Sequence, residues 1–278
     1  MTRKAPSPIV AAMTSSFASL TRIARFPVKG LSAQPLEQAQ LTPDQPIAGD
    51  RRFALAHGAS AFDPAQPRWE KKANFLTWVR NPKIAALHCA FDPSGTRITV
   101  ADPEPETSDD GIDNADLTTP EGRAALARLV AFLLDEKETR GKVEVVEAPE
   151  TWFSDVPQPF LSIQNTASIA DLGKHLGPTH GNAPVDWRRF RANLLIDGFP
   201  AWAERDWIGK RLRIGEAVLQ VEELIGRCAA THVNPDTAEV DTDIVGTLRA
   251  HYGSHHCGVY ARVVAGGMIR LNDRVSLV

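Results

Sequence analysis

Short runs of alternating polar and apolar residues recur along most of the chain, and this period of two is typical of half-buried β-strands. Turn sequences such as Asp92-Pro93-Ser94-Gly95 separate the runs. The predicted strands span residues 21–26, 36–41, 50–56, 85–91, 96–100, 142–147, 160–163, 187–197, 209–215 and 217–222, and a hairpin is predicted over 257–271. The pattern therefore predicts a mostly β chain with some α-helix, an α+β fold, built on a barrel-like core.

Helical spacing of apolar residues is clear in one segment. Thr119 is the predicted N-cap of this helix, and Pro120 occupies its first turn, where the missing N–H group costs nothing. A shorter helix is predicted to begin with Asn165 or Thr166 as its cap, and another to span residues 243–248. The apolar stripe of the first helix consists of Ala125, Leu126, Leu129, Val130 and Leu133.

Shifts in composition divide the chain into three predicted parts. Residues 1–19 form a disordered lead-in, whose apolar run is shorter than the core of a signal peptide. Residues 20–150 form a β-rich N-terminal domain, and residues 151–278 form a second domain. In the first domain, residues 57–82 are predicted to be an ordered loop that could cover a site, and residues 101–116, with seven acidic side chains, a solvated loop.

The charge balance excludes two classes of partner. The 31 basic and 34 acidic residues leave a net charge of −3, which is too small for a nucleic-acid footprint or a polybasic membrane anchor. No run approaches the roughly 18 apolar residues of a membrane span. Three cysteines are an odd number in a chain of 278 residues, which indicates a reducing compartment, so the predicted location is the cytoplasm. The expected partners are a small molecule and a protein, with no nucleic acid and no membrane.

Cys228 is the strongest candidate for chemistry. It lies between the predicted strand 217–222 and the turn sequence 234–237. Arg227 beside it favours the thiolate, which is the form that attacks an electrophile or binds a metal. The alternatives are an inert buried cysteine, a redox pair with Cys257, or a zinc site. The candidate zinc ligands are Cys228, His232, His251, His255, His256 and Cys257.

Basic side chains near strand ends are candidates for holding an anion. Lys29 follows the first predicted strand, and Arg51 lies at the start of the third. Arg191 and Asn193 are two residues apart, so strand alternation would direct both to the same face. Guanidinium groups bind phosphate in a bidentate manner. The start of the helix that is predicted to begin with Asn165 or Thr166 presents unpaired N–H groups, which can also bind an anion. For each of these residues the alternative is an ordinary solvated face or helix cap.

Four segments resemble, in the same order, those of MOSC domains, which are named after the C-terminal domain of molybdenum cofactor sulfurases and are shared by amidoxime-reducing molybdoenzymes. The segments are Phe26-Pro27-Val28-Lys29-Gly30, Gly49-Asp50-Arg51-Arg52-Phe53, Arg189-Phe190-Arg191-Ala192-Asn193-Leu194 and Arg227-Cys228-Ala229-Ala230-Thr231-His232-Val233-Asn234-Pro235-Asp236-Thr237. The resemblance covers most of the chain after residue 20. It implies a β-barrel-like MOSC core preceded by a smaller domain of the MOSC N-terminal β-barrel type.

The resemblance also implies a cofactor and the residues that hold it. The family binds the molybdenum cofactor (molybdopterin), and Cys228 matches the catalytic cysteine whose soft thiolate would bind the metal. Lys29, Arg51 and Arg191 would hold the anionic groups of the cofactor. The residues that match cofactor-binding positions are Lys29, Arg51, Asn165, Thr166, Arg191, Asn193, Arg227 and Thr231. A family-level association with pyridoxal phosphate binding accompanies the resemblance.

The implied reaction is the reduction of small N-hydroxylated compounds, in which the N–O bond is cleaved. The electrons come from a separate donor protein, such as a reductase or an iron–sulfur or haem protein, because three cysteines could not hold an iron–sulfur cluster. Two departures from the family concern the substrate: Ala238 stands where the family often has glycine, and the turn at residues 164–166 is looser than in the eukaryotic enzymes. The alternative function is that of a sulfur or cofactor carrier that uses Cys228.

Overall fold

The computed structural model of the protein describes residues 17–101, 111–149, 151–176 and 184–278. Most of the predicted lead-in and of the predicted acidic loop therefore lies outside the described residues. Where these two segments are described, both contain strand residues: the first strand starts at Ala18, and another spans Ile112–Asp116.

Sixteen strands and four α-helices form within the described residues, so the prediction of a mostly β chain with a few helices is confirmed. The strands are β1 (Ala18–Arg25), β2 (Val28–Lys29), β3 (Gln34–Leu36), β4 (Gln38–Leu41), β5 (Phe53–Ala56), β6 (Cys89–Phe91), β7 (Arg97–Val100), β8 (Ile112–Asp116), β9 (Glu144–Glu147), β10 (Leu161–Asn165), β11 (Leu194–Asp197), β12 (Arg211–Ile214), β13 (Ala217–Gly226), β14 (His256–Ala265), β15 (Gly267–Arg270) and β16 (Arg274–Leu277). The helices are α1 (Pro120–Leu133), α2 (Glu136–Thr139), α3 (Thr166–Gly173) and α4 (Ile244–Tyr252). Among these described helices, none has both the length and the apolar character that a bilayer crossing requires.

Seven strands close into the predicted barrel, in the order β11-β10-β14-β13-β12-β16-β1, and β1 pairs back to β11. Neighbouring strands are antiparallel except β10 and β11. Apolar side chains such as Leu20, Ile163, Leu219 and Val259 are fully buried in its core. Closure pairs both edges of every barrel strand, which removes the exposed edges of an open sheet. Because β1 belongs to the N-terminal half, the two halves of the chain share this barrel.

A second core lies in the N-terminal half. Two three-stranded sheets, β2-β5-β9 and β6-β7-β8, contribute to it, and α1 packs against it through Leu126, Leu129 and Val130. Helix α1 begins as predicted: Thr119 Oγ1 accepts the backbone N–H of Gly122 at 3.1 Å, and Pro120 is the first helical residue. This half is therefore a packed unit that can present rigid side chains to the barrel.

The basic segment at residues 187–191 is not the strand that alternation predicted. Residues Trp187–Phe190 form a 3-10 helix, and Arg191 follows it with a left-handed φ of 51°. A local hydrogen bond explains the difference, because Asp186 Oδ1 accepts the backbone N–H of Arg188 at 2.8 Å and so caps the short helix. The next strand begins only at Leu194.

The predicted loop at residues 57–82 is held down by aromatic packing. The rings of Phe75 and Phe153 meet edge to face with centroids 4.9 Å apart, and Phe62 packs on the ring of Phe153 at 5.2 Å. The loop contains a 3-10 helix at Lys72–Asn74, and a second one, Pro82–Ala86, replaces the first part of the strand predicted at 85–91. The aromatic contacts fix the position of the loop beside the barrel.

Candidate functional site

A cavity of about 410 Å³ lies on the outer face of the barrel. Ser162 and Tyr260 are opposite each other on β10 and β14, and both line the cavity. Their neighbours Ile163 and Ala261 are buried in the barrel core, so alternation along each strand directs Ser162 and Tyr260 outward. Other lining residues come from the N-terminal half, which places the cavity between the two halves of the chain.

The cavity brings together most of the residues that the sequence predicted for a site. Lys29, Arg51, Arg191, Asn193, Arg227, Cys228 and Thr231 all line it. Its basic lining residues are Lys29, Arg51, Lys72, Arg189, Arg191 and Arg227, and its acidic ones are Asp155 and Glu223. The cavity is therefore cationic, although the whole chain has a net charge of −3, and it suits an anionic ligand.

Lys29 is buried at the end of β2. Its Nζ donates hydrogen bonds to the carbonyl of Phe153 at 2.8 Å and to Asp155 Oδ1 at 2.6 Å. Burial lowers the pKa of Lys29, Asp155 opposes this, and the neighbouring charges of Arg51 and Arg191 lower it further. Burial also opposes ionisation of Asp155, but the positive charges of Lys29, Lys72 and Arg51 together outweigh burial and hold the pKa of this carboxyl below its usual value.

Arg51 and Arg191 both stack on Phe26, with guanidinium carbons 4.8 and 4.3 Å from the ring centroid. Burial opposes the charge of Arg51, but its ion pair with Asp50 outweighs burial and raises its pKa. Burial and the nearby Arg51 lower the pKa of Arg191 to about 9, so Arg191 is charged at neutral pH. Arg191 Nη1 donates to the carbonyl of Leu31 at 2.7 Å, whereas its buried Nη2 has no hydrogen-bond partner among the described residues. This Nη2 group is available to a ligand.

Arg227 braces the wall of the cavity. It donates hydrogen bonds to the carbonyls of Cys257 at 2.7 Å and Phe190 at 2.9 Å, and to Gln164 Oε1 at 2.9 Å. Burial lowers its pKa. Gly258 leaves the room for this arrangement, because a Cβ at its position would lie 3.0 Å from Arg227 Nη2 and 2.5 Å from Gln164 Oε1.

Cys228 is half-buried where β13 ends and the 3-10 helix Ala229–His232 begins. Its carbonyl accepts hydrogen bonds from the backbone N–H of Thr231 at 3.1 Å and from Thr231 Oγ1 at 2.9 Å. Its Sγ lies 3.8 Å from Lys72 Nζ. Thr231 therefore holds the backbone of Cys228, and a lysine from the loop at 57–82 contacts the sulfur.

Two of the predicted site residues, Asn165 and Thr166, do not line the cavity. Asn165 is fully buried: its Oδ1 caps α3 through the N–H of Ala167, and its Nδ2 donates to the carbonyl of Pro200 at 2.8 Å. Thr166 Oγ1 donates to Asp197. Both polar side chains are therefore used by the local fold. The prediction that Asn165 or Thr166 caps a helix is confirmed for Asn165.

The structure gives no support to the zinc and redox-pair alternatives. His232 Nε2 accepts the backbone N–H of Val245 at 3.1 Å, near the start of α4. Across the described ranges, no group of three or more His, Cys, Asp or Glu side chains could hold a metal ion. Cys257 is buried, and its Sγ accepts a hydrogen bond from Gln164 Nε2 at 2.8 Å. Burial raises the pKa of Cys257 to about 11, and Cys228 and Cys257 are both free thiols.

The lining residues that sequence reasoning did not predict as site residues include Lys72, Asp155, Phe160, Glu223 and Tyr260. Lys72 and Asp155 come from segments without regular periodicity, and only long-range packing brings them to Lys29 and Cys228. Tyr260 lies in a predicted strand, but the sequence does not reveal which face of that strand meets the cavity.

Two family models together match nearly the whole chain. The model of the MOSC N-terminal beta barrel domain matches residues 17–157, and that of the MOSC domain matches residues 151–276. A molybdenum cofactor sulfurase from Oryza sativa subsp. japonica is 38% identical over 84 residues, which are 29% of this chain and 10% of that protein. The chain thus matches only a small part of that relative.

Solved structures that the chain matches include the YUAD protein from Bacillus subtilis, which is 12% identical with 94% of both chains covered and a TM-score of 0.43. YiiM from Geobacillus stearothermophilus is 20% identical, with 42% of this chain and 53% of that chain covered and a TM-score of 0.31. From the two family matches, the chain belongs to the MOSC domain family, with a MOSC N-terminal beta barrel domain ahead of its MOSC domain.

Proposed function

We propose that this MOSC protein binds the molybdenum cofactor in the cavity and reduces small N-hydroxylated compounds. The observation that carries the proposal is the position of one thiol, Cys228, in the same cavity as the buried Lys29 and the half-buried Arg51 and Arg191. A soft thiolate suits a soft metal, and clustered cations suit the phosphate of the pterin. The family membership supports the same assignment.

The donor set of the cavity fits this cofactor. Arg191 Nη2 is buried without a partner among the described residues, which is a costly arrangement for a charged group unless an anion binds it. Arg191 also lies against Trp78, with its guanidinium carbon 5.0 Å from the ring centroid. Arg191, Arg51 and Lys29 would therefore hold the anionic end of the cofactor, and Cys228 would bind its metal.

The cofactor would supply the two-electron chemistry when bound, and the protein would orient it and limit the access of water. The proposed reduction consumes two electrons and two protons, breaks the N–O bond of the substrate and releases water. The electrons require a separate donor protein, such as a reductase or an iron–sulfur or haem protein. We place this reaction in the cytoplasm, since the odd number of cysteines favours a reducing compartment.

The Cys228→Ser variant is expected to retain about tenfold less molybdenum than the unmodified protein, because even a change beside a metal ligand lowers metal affinity about 10–100-fold. Both proteins would be made in molybdate-fed, cofactor-competent cells and measured by elemental analysis. Cys89→Ser is the matched control, since Cys89 lies outside the cavity lining, and it should retain full occupancy. Zinc in place of molybdenum, or equal molybdenum in all three proteins, would contradict the proposal.

A second candidate function is that of a sulfur or cofactor carrier, which the similarity to part of a molybdenum cofactor sulfurase favours. In a carrier, Cys228 would hold a persulfide or pass the cofactor to a client protein. The intact protein would then show a mass increase of one sulfur atom at Cys228 that a thiol reagent removes. It would also fail to reduce benzamidoxime with an artificial low-potential donor. Turnover of benzamidoxime without such a mass increase would favour the reductase.

A further inference from the structure

Two of the three cations proposed to hold an anion pair with a carboxylate of the chain itself. Arg51 forms an ion pair with Asp50, and Lys29 Nζ lies 2.6 Å from Asp155 Oδ1. Arg191 differs, because its Nη1 donates to a backbone carbonyl and its Nη2 has no partner among the described residues. A ligand anion that binds Lys29 or Arg51 must therefore compete with an internal carboxylate.

The carboxylate of Asp50 is fixed by the fold. Its side chain is 4% exposed, and its Oδ1 accepts the backbone N–H of Phe26 at 2.7 Å while its Oδ2 pairs with Arg51. Moving this carboxylate would leave a buried backbone donor without a partner, which is costly. An anion is therefore not expected to displace Asp50.

The carboxylate of Asp155 is held much less firmly. Its side chain is 49% exposed, and its partners among the described residues are two lysines, with Lys29 Nζ at 2.6 Å and Lys72 Nζ at 3.8 Å. It lies in the segment 151–160, which forms neither a helix nor a strand. Rotation of the side chain breaks the pair with Lys29 and leaves the backbone hydrogen bonds intact. The side chain of Lys72 is 50% exposed and can still pair with the carboxylate after this movement.

Lys29 is held in place, unlike its partner. Its side chain is 9% exposed, and its Nζ also donates to the carbonyl of Phe153 at 2.8 Å. A buried ammonium without a negative partner is strongly unfavourable, so Lys29 requires an anion. Two anions on one ammonium group repel each other. Asp155 and the phosphate of a ligand are therefore alternative partners of Lys29.

We infer that Asp155 is a displaceable counter-ion of Lys29, which the phosphate group of a ligand replaces when it binds in the cavity. The inference rests on the proposed function, which supplies the phosphate-bearing ligand, and it adds a residue that sets the affinity for that ligand. Phosphate carries more charge than a carboxylate and has enough oxygens to accept hydrogen bonds from both Lys29 and Arg191. Asp155 keeps the buried ammonium paired and lowers the affinity of the cavity for anions.

The test is a calorimetric titration of inorganic phosphate into the full chain, produced in cells that make no molybdopterin. Asp155→Asn is expected to bind phosphate about tenfold more tightly than the unmodified protein. The reason is that phosphate then gains a hydrogen bond to a charged group without displacing a charged carboxylate. Unchanged affinity in the Asp155→Asn variant would overturn the inference, and so would the lack of phosphate binding by both proteins.

Glu223→Gln is the matched control, since it removes the same charge from another exposed residue of the cavity lining. No described residue forms an ion pair or hydrogen bond with the side chain of Glu223. This variant should tighten phosphate binding by no more than about twofold, because solvent and salt screen an exposed charge. Equal tightening in both variants would contradict a specific role of the pair between Asp155 and Lys29.

A crystal structure of the unmodified protein with bound phosphate tests the displacement without any substitution. The expected result is a phosphate oxygen within hydrogen-bond distance of Lys29 Nζ, with the carboxylate of Asp155 moved away from it. Phosphate bound in the cavity while Asp155 still pairs with Lys29 would overturn the inference. Molybdenum is measured separately, in protein from cofactor-competent cells. Displacement by phosphate together with a lack of molybdenum there would contradict the proposed function alone, so the two failures are distinguishable.

Discussion

Replacing Arg191 with alanine is expected to lower the amount of retained molybdenum cofactor by about tenfold or more. The guanidinium is buried against Phe26 and Trp78, and its Nη2 has no partner among the described residues. A hydrogen bond to a charged group contributes about 1.5–3 kcal/mol, which corresponds to roughly 10–150-fold in affinity. Released pterin and bound molybdenum, measured after gel filtration, give the retained fraction.

The Arg191→Lys variant separates charge from geometry. Lysine keeps the positive charge but loses the planar fork of the guanidinium, so its retention of the cofactor should lie between those of the alanine variant and the unmodified protein. Arg213→Ala removes the same charge from an exposed position outside the cavity lining and should retain the cofactor fully. Thermal unfolding, monitored by circular dichroism, identifies any loss of cofactor that comes from misfolding of a variant. If a folded Arg191→Ala protein retained the cofactor fully, Arg191 would not be a cofactor-binding residue.

Replacing Gly258 with alanine is expected to lower the free energy of unfolding by about 3 kcal/mol. It is also expected to break the hydrogen bond between Arg227 and Gln164. Gly258 has a φ of +81°, and a Cβ there would lie 2.5 Å from Gln164 Oε1 and 2.6 Å from the carbonyl of Ile163. Left-handed strain costs roughly 1–2 kcal/mol for a residue with a Cβ, and overpacking adds about 1–3 kcal/mol. Urea denaturation measures the change.

Gly253→Ala provides a matched control for Gly258→Ala. Gly253 also has a positive φ, +66°, but a Cβ at its position would meet nothing within 4 Å. The Gly253→Ala variant should therefore lose only about 1 kcal/mol of the free energy of unfolding, which is the cost of the left-handed backbone. Equal losses in the two variants would mean that the close approach of Gly258 to Gln164 and Arg227 contributes nothing to stability.

The cavity residues named from the sequence came from the resemblance to MOSC domains, because their local patterns alone also allowed an ordinary solvated face. The segments around Lys29, Arg51, Arg191 and Cys228 each combine a charged or nucleophilic side chain with a strand end or turn. The fold class followed from alternation, since period-two runs and few helical stripes favour a barrel. The same logic failed at residues 187–191, where the hydrogen bond from Arg188 to Asp186 stabilises a 3-10 helix instead of a strand.

The remaining site residues depend on long-range packing that no local pattern encodes. Lys72 is 156 positions from Cys228 in the sequence, and Asp155 is 126 positions from Lys29. Glu223 faces the cavity because of a bulge, and a sequence does not reveal an extra residue in a ladder until the pairing partner is known. The side chains of Asn165 and Thr166 form local hydrogen bonds instead of lining the cavity: Asn165 caps α3, and Thr166 Oγ1 donates to Asp197.

The most direct measurement of the central claim is anomalous diffraction at the molybdenum absorption edge from crystals of protein made in cofactor-competent cells. The proposed function predicts a single anomalous peak in the cavity, within bonding distance of Cys228 Sγ, with pterin density that extends toward Arg51 and Arg191. A molybdenum peak outside the cavity, or in the cavity but beyond bonding distance of Cys228 Sγ, would contradict it.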